Sequence, residues 1–534
     1  MKPAAKAAAK PAKTPAVPRA AKATASIKKS NTPKLQDIFL GAGFTHVPAD
    51  GIHIDFMGRT GELDHIFVWQ NVVLLCEETA DKGATKHCTN KIHFHKQIAS
   101  NWLRFYKEFG AMNPALVAAV EPAYKANELE VRHVYYSEVI DIVDSVGDPS
   151  PFHILTRAQA SYFGSLVDTI HKSAKYELLK YLDINLSQVG TNRVRGSGVS
   201  SDGFQAFAMP SSHTNYPADF AVVSFYADPL SLIERAYVMR RDGWEDPDLS
   251  YQRFVKAEKL LDMREYLRND GTVFITNLIV TLPSSSVIKN AQGAVIDPKA
   301  LTKKSTVTLE LPLELGTIGI VDGQHRVFSY YEGHGPSDAA IDALSKRQNL
   351  LVTGIIFPAT YTPEMRVQFE ASIFLGINNN QSPVPPQLRQ DLEMIINPET
   401  PLATARAVVI RLSKEGPLAG LLQLSQFDPS DKIATGSLAP YVLKTLMKSR
   451  GALYKLWDPA GDRDLANEVD RKAYIEFTVA HLKRLLQGAS FNMKDRWKSV
   501  ANGGVLSTTA VGGMLMSLDR FAQEKKCNRP AMTS

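Results

Sequence analysis

Carboxylates recur here at the spacing of paired strands. The runs Gly61-Glu-Leu-Asp-His-Ile-Phe-Val-Trp69 and Val72-Val-Leu-Leu-Cys-Glu-Glu-Thr79 flank a two-residue turn, Gln70-Asn71. Two strand-like runs around so short a turn predict a β-hairpin. With Trp69 opposite Val72, Asp64 faces Glu77 and Glu62 faces Thr79. Residues two apart share a face, so Glu62, Asp64, Glu77 and Thr79 form one polar patch. Opposed β-carbons lie about 5 Å apart, and two carboxylates that close repel unless a cation sits between them. A hard divalent ion such as Mg²⁺ suits oxygen ligands of this kind, which makes Asp64 and Glu77 its candidate ligands. Such an ion activates water and stabilises a phosphodiester transition state.

A second constellation lies at Asp322-Gly323-Gln324-His325-Arg326, directly after the apolar run Gly316-Thr-Ile-Gly-Ile-Val321. The pattern predicts a strand, a tight turn and a short helix. Asp322 is expected as the helix N-cap, and Gly323 lets a ligand approach the backbone. Free N–H groups of the first turn favour anions, and His325 and Arg326 add charged donors suited to phosphate. Further on, Thr362-Pro363-Glu364 starts a helix expected to run to about Leu375. It leads into Gly376-Ile-Asn-Asn-Asn-Gln-Ser-Pro383, where Asn378 and Gln381 offer neutral donors and acceptors.

The elements that must position these groups are legible in outline. Ile98, Trp102, Phe105 and Phe109 recur at helical spacing and predict a helix over 92–109. Lys96 and Gln97 fall in its first half and are candidates to reach the carboxylate patch. The preceding stretch, Lys86-His-Cys-Thr-Asn-Lys-Ile-His-Phe-His95, reads as a polar loop. Its His87, Cys88, His93 and His95 lack the usual paired spacing of a zinc site. Residues 150–190 and 230–268 read as helical, and 190–216, rich in Gly, Ser and Asn, as a loop. Strands are expected at 274–282, 306–313, 316–321 and 351–357, and helices from Pro386 onward.

On these residues, the stretch 50–110 resembles the PD-(D/E)XK nuclease core. That family places an acid on one strand, Glu-X-Lys on the next, and often Gln or Lys on the following helix. Asp64 and Glu77 match the acids, with Lys96 or Gln97 at the helix position, while Thr79 stands where the Lys is usual. The resemblance implies a catalytic set of Glu62, Asp64, Glu77, Lys96 and Gln97. The pentapeptide 322–326 is that of DGQHR-domain proteins, DndB-like relatives with a fold similar to ParB and sulfiredoxin. Gln324 occupies the position of the sulfiredoxin cysteine, so that chemistry is excluded. What this second resemblance implies is nucleoside triphosphate binding (ATP or CTP) by Asp322, Gly323, Gln324, His325 and Arg326, with Asn378 and Gln381.

The chain has 534 residues and a net charge of +6. Residues 1–34 hold nine Lys or Arg and no acid, which leaves 52 basic against 55 acidic residues in the rest. The positive charge therefore describes an Ala-, Lys- and Pro-rich tail, expected to be disordered and suited to phosphates. Cys76, Cys88 and Cys527 are too few for a disulfide scaffold and fit a reducing, cytoplasmic compartment. No run of some 18 apolar residues predicts a membrane span.

The expected architecture is α/β (α+β). A basic tail (1–34) precedes a small restriction-endonuclease-like domain (35–125) and a helical connector (126–215). A ParB/sulfiredoxin-like DGQHR domain (216–390) and a helical C-terminal region (391–534) follow. The expected function is that of a nucleotide-binding, DNA-associated protein of a prokaryotic DNA-modification or anti-phage defence system, acting as a nucleotide-controlled Mg²⁺-dependent nuclease. The alternative is a non-catalytic DNA-binding regulator of DndB type. Expected partners are DNA, nucleotide and other proteins of such a system, with self-association left open.

Overall fold

Alternation of apolar residues builds the first sheet. After α1 (Leu35–Gly41) come β1 (Thr45–Pro48), a small ribbon of β2 (Ile54–Phe56) and β3 (Arg59–Gly61), then β4 (His65–Trp69) and β5 (Val72–Thr79). Helices α2 (Ala84–Ser100), α3 (Trp102–Met112) and α4 (Pro114–Ala119) lead to β6 (Glu130–Ser137) and β7 (Phe152–Leu155). The five strands lie in the order β1-β4-β5-β6-β7. The sheet is antiparallel as far as β5 and parallel from β5 to β7. A parallel step requires a long crossover, and the three helices provide it between β5 and β6. The structure is a computed structural model that describes residues 33–142, 145–190, 201–238, 244, 254–335, 338–378, 386–424, 427–429 and 431–523. The tail up to residue 32, Gln381 and Cys527 lie outside the described residues.

The hairpin register agrees with the sequence reading: Trp69 pairs with Val72 and His65 with Cys76. Ile66, Val68, Val73 and Leu75 face Phe94, Ile98, Phe105 and Phe109 of α2 and α3. Phe67, Leu74 and Cys76 face α1 and α5 (Arg157–Ile170). Both faces are covered, which is why these strands read as near-continuous apolar runs.

After α6 (Lys175–Tyr181), a second sheet takes in β8 (Ser201–Met209), β9 (Ala221–Ala227), β10 (Ala236–Tyr237), β11 (Leu278–Leu282), β12 (Val287–Lys289), β13 (Ser305–Pro312), β14 (Ile318–Asp322) and β15 (Leu350–Ile356). Its order is β10-β14-β11-β15-β9-β8-β13-β12. Helices α7 (Pro229–Arg235), α8 (Ala257–Asp270), α9 (Gln324–Phe328), α10 (Ala339–Ser345) and α11 (Pro363–Asn378) accompany it. The chain then continues as α12 (Pro386–Ile396), α13 (Pro401–Lys414), α14 (Ala452–Trp457), α15 (Glu468–Asn492) and α16 (Thr508–Gln523). This last part has its own core, with Val408, Leu443, Leu482 and Leu515 buried in it. Among the described residues no helix is long and apolar enough to cross a membrane.

Three expectations are corrected. The stretch 126–215 is not simply a helical connector: β6 and β7 complete the first sheet, and β8 joins the second. β8 looked like loop because it falls within 190–216, a stretch rich in Gly, Ser and Asn. Its Ala206 and Ala208 nevertheless alternate inward, and it pairs with β13 along its whole length. The helix expected at 92–109 is two helices, broken at Asn101 (φ −136°), and the first begins at Ala84. Finally, the two sheets share a core rather than lying in separate domains. Phe67 and Leu74 from the first, Val223 and Val280 from the second, and Phe163 and Leu179 from α5 and α6 belong to one buried cluster.

Candidate active site

Alternation along β5 carries Glu77 to the same face as Val73 and Leu75, into the interior under α2, at 0% exposure. A carboxylate there is costly unless it finds partners. His95 Nε2 lies 2.8 Å from Oε1. Lys91 Nζ lies 2.6 Å from Oε2 as an ion pair. Asp64, just before β4, accepts the Glu78 N–H through Oδ2 at 2.8 Å and keeps Oδ1 3.9 Å from Lys91 Nζ. Lys91 also donates to the Glu62 carbonyl at 3.1 Å. The cation that the opposed carboxylates call for is thus the ammonium of Lys91.

Behind Glu77 the network runs deeper. His95 Nδ1 lies 2.7 Å from His133 Nδ1 on β6, and both rings are buried. Burial, reinforced by Lys91, brings His95 down to about 3, and burial beside His95 holds His133 well below the usual imidazole range. Both are neutral at physiological pH, so the chain has two consistent proton arrangements. Either His133 donates to His95 and His95 donates to an ionised Glu77, or a protonated Glu77 donates to His95 and His95 to His133. Burial and the neighbouring Asp64 push Glu77 up to about 8, against the pull of Lys91. On the solvent side, Lys91 borders a cleft of about 420 Å³, lined also by His53, Arg59, Thr60, Glu62 and Asn90.

The other candidates of the first constellation sit elsewhere. The Glu62 carboxylate turns to His53, 3.6 Å away, and Thr79 Oγ1 accepts the Asp81 N–H. Lys96 points outward and pairs with Asp148 at 2.7 Å. Gln97 donates to the Met57 carbonyl at 3.3 Å. Neither contacts Asp64 or Glu77. The reason is helical phase. On α2 the sheet-facing stripe is Ala84, Cys88, Lys91, His95 and Ile98, at spacings of three and four, and positions 96 and 97 fall beside it. The segment 86–95 is therefore helix, not loop. A stripe that mixes Cys, Lys and His with Ala and Ile was the available signal for Lys91 and His95. It shows in full only once the helix is carried back to Ala84.

No group of three or more His, Cys, Asp or Glu side chains among the described residues could hold a metal ion. Asp64 and Glu77 fit Mg²⁺ in a narrower sense. They bring two carboxylates together, Asp64 just before β4 and Glu77 on the neighbouring β5, and Mg²⁺ keeps several waters and takes only one or two carboxylates.

The second constellation also differs from its expected form. Asp322 is the last residue of β14, and Gly323 (φ 103°) occupies the N-cap of α9. Asp322 stands one residue too early to cap, and its Oδ2 instead accepts Arg326 Nη2 at 2.7 Å. Arg326 Nη1 donates to the Asn277 carbonyl at 2.5 Å, and His325 Nε2 accepts the Lys256 N–H at 3.2 Å. The guanidinium expected to grip phosphate therefore ties the end of β14 to the approach to β11. Gln324 is the first residue of α9, and Asn378 is the last of α11. Comparison with protein families, with curated proteins and with solved structures finds no match for this chain.

Proposed function

We propose that the chain is a DNA-associated, Mg²⁺-dependent phosphodiester hydrolase whose centre is Asp64, Glu77 and Lys91, of the PD-(D/E)XK kind that the sequence resembles. The observation that carries this reading is the ammonium of Lys91 held 2.6 Å from Glu77 and 3.9 Å from Asp64, at the edge of an open cleft. An acid before one strand, an acid on the next and a cation from the following helix reproduce that family's plan. Lys91 takes the part left vacant by Thr79. Asp64 and Glu77 would hold the metal ion, which supplies an activated water and a counter-charge for the developing oxyanion. Lys91 neutralises the carboxylate pair and is placed to contact a phosphate oxygen entering from the cleft. His95 fixes the rotamer of Glu77, and His133 fixes the tautomer of His95, as outer partners do for buried ligands.

A second reading makes the chain a nucleotide-binding regulator of DndB type within a DNA-modification or defence system. In its favour is the left-handed glycine at a strand end, followed by Gln324 and then by two basic side chains. It requires Arg326 to exchange Asp322 for the phosphate of ATP or CTP.

The two readings separate in one experiment. Plasmid DNA is incubated with Mg²⁺, with and without ATP or CTP. The proteins compared are wild type, Glu77→Ala, Lys91→Met and Arg326→Ala. The first reading expects nicking by wild type, lost in Glu77→Ala and lowered about 10²–10³-fold in Lys91→Met. DNA binding without cleavage, together with nucleotide binding lost in Arg326→Ala, would replace it with the second.

A further inference from the structure

A polar cavity lies where the β10 edge of the second sheet meets α6 and α11. β10 runs parallel to β14, with Tyr237 beside Gly319. Glu370 of α11 is 0% exposed, accepts the Tyr237 hydroxyl at 2.5 Å, and accepts the Thr281 hydroxyl as well. Gly319 makes this meeting possible, since a β-carbon there would strike both hydroxyl groups. Burial and the adjacent Glu370 hold Tyr237 well above the usual phenol range, so its hydroxyl remains a donor.

One helical turn before Glu370, Arg366 Nη2 donates to the Tyr237 hydroxyl at 3.0 Å. Its Nε is 3.7 Å from Glu370, beyond hydrogen-bond reach, and this buried N–H has no acceptor among the described residues. The guanidinium is held over the rings of Phe357 and Tyr237, at 5.2 and 5.6 Å. Tyr237, Arg366 and Glu370 line a cavity of about 240 Å³, together with Lys180, Gly316 and Tyr361. The Lys180 ammonium lies 5.3 Å from the Tyr237 ring.

The charges facing the cavity are Arg366, Lys180 and Glu370. Glu370 is buried, and its Oε1 takes both hydroxyl donors. The wall presents the Arg366 guanidinium, the Lys180 ammonium and two tyrosine rings. A planar or tetrahedral oxyanion matches the guanidinium, and an aromatic group matches the rings.

We propose that this cavity binds a small aryl-bearing anion, a carboxylate or a phosphate monoester, gripped by the Arg366 guanidinium beside Lys180 and flanked by Tyr237 and Tyr361. The site is independent of the phosphodiester centre. It is also distinct from the Gly323 turn, which lies four residues further along β14 from Gly319, roughly 13 Å.

The test is titration calorimetry of the full chain with phenyl phosphate, benzoate and inorganic phosphate. One of the two aryl anions is expected to bind one-to-one and more tightly than inorganic phosphate, and the tighter of them identifies the class. Arg366→Gln is expected to weaken binding at least about tenfold, and Arg366→Lys, which keeps the charge and the fold, by less. Glu77→Gln is expected to leave it unchanged. No saturable binding of either aryl anion up to about 10 mM, equal binding by Arg366→Gln, or loss of binding in Glu77→Gln would overturn the proposal.

Discussion

At the scale of single residues, the candidate site is a problem of burying charge. Glu77 is sealed under α2, and each of its oxygens faces one partner, His95 or Lys91. His95 matters because it satisfies two buried groups at once. His95→Ala leaves Glu77 Oε1 and His133 Nδ1 without partners and opens space beside Phe152, whose ring centre is 4.4 Å from that of His95. The expected cost is about 2–4 kcal/mol. It would be read from the urea midpoint, and a change below about 0.5 kcal/mol would mean that water replaces the imidazole. The facing of Asp64 and Glu77 was legible in the sequence, because a two-residue turn sets the register. The identity of their cation was not, since charge repulsion calls for a positive group without saying whether it is a metal or an ammonium.

At the scale of elements, helix starts and strand ends decide which side chains meet. Extending α2 back from 92 to Ala84 brings Lys91 into the helix, one turn before His95 on the stripe that includes Ile98, while Lys96 falls off that stripe. No strong capping residue marks that start: Gly83 occupies the N-cap and makes no side-chain bond. The strand–turn–helix order around Gly323 was legible, whereas the partner of Asp322 was not. Gly323 combines φ 103° with a backbone approach so close that a β-carbon would collide with Leu278. Gly323→Ala should therefore destabilise the chain by about 2 kcal/mol or more, seen as a lower melting temperature. An unchanged melting temperature would show that the turn can relax to negative φ. Asp322→Ala should also release Arg326, and weaker protection of the amides of β11 and β14 in hydrogen exchange would report it.

At the scale of the whole molecule, the sheets are joined by polar stitches as well as by apolar packing. Lys175 of α6, 5% exposed, pairs with Glu332 at 2.8 Å, just beyond α9. The Glu332 N–H also donates to Ser173 Oγ at 2.9 Å, and the Lys172 N–H donates to the Glu332 carbonyl at 3.1 Å. Burial alone would raise the Glu332 carboxyl, but Lys175 and Lys172 outweigh it and hold the carboxyl below its usual range. A carboxylate depressed in the folded state contributes stability above its unfolded value, near pH 4.5, and that contribution is lost as pH falls. Wild type should therefore lose more stability than Glu332→Gln between pH 5 and pH 3, measured by urea unfolding at each pH. Parallel curves would remove this ion pair from the account. Glu332→Ala should cost about 1–3 kcal/mol at neutral pH, because it leaves the Lys175 ammonium buried without its carboxylate.

The amino-acid sequence by itself determined what short-range rules reach. The hairpin with Asp64 facing Glu77, β13, β14 and β15, the start of α11 at Pro363 and the helical C-terminal part all follow from periodicity, turn length and capping. The tertiary structure alone decided that Lys91 and His95 complete the carboxylate site, that β8 is a strand, and that both sheets share a core. It also placed Arg326 on Asp322 and Asn277, and Tyr237 on Glu370. All but the Asp322–Arg326 pair, four residues apart, join residues distant in sequence or turn on helical phase. Local propensity carries no information about which distant donor will reach a buried carboxylate first.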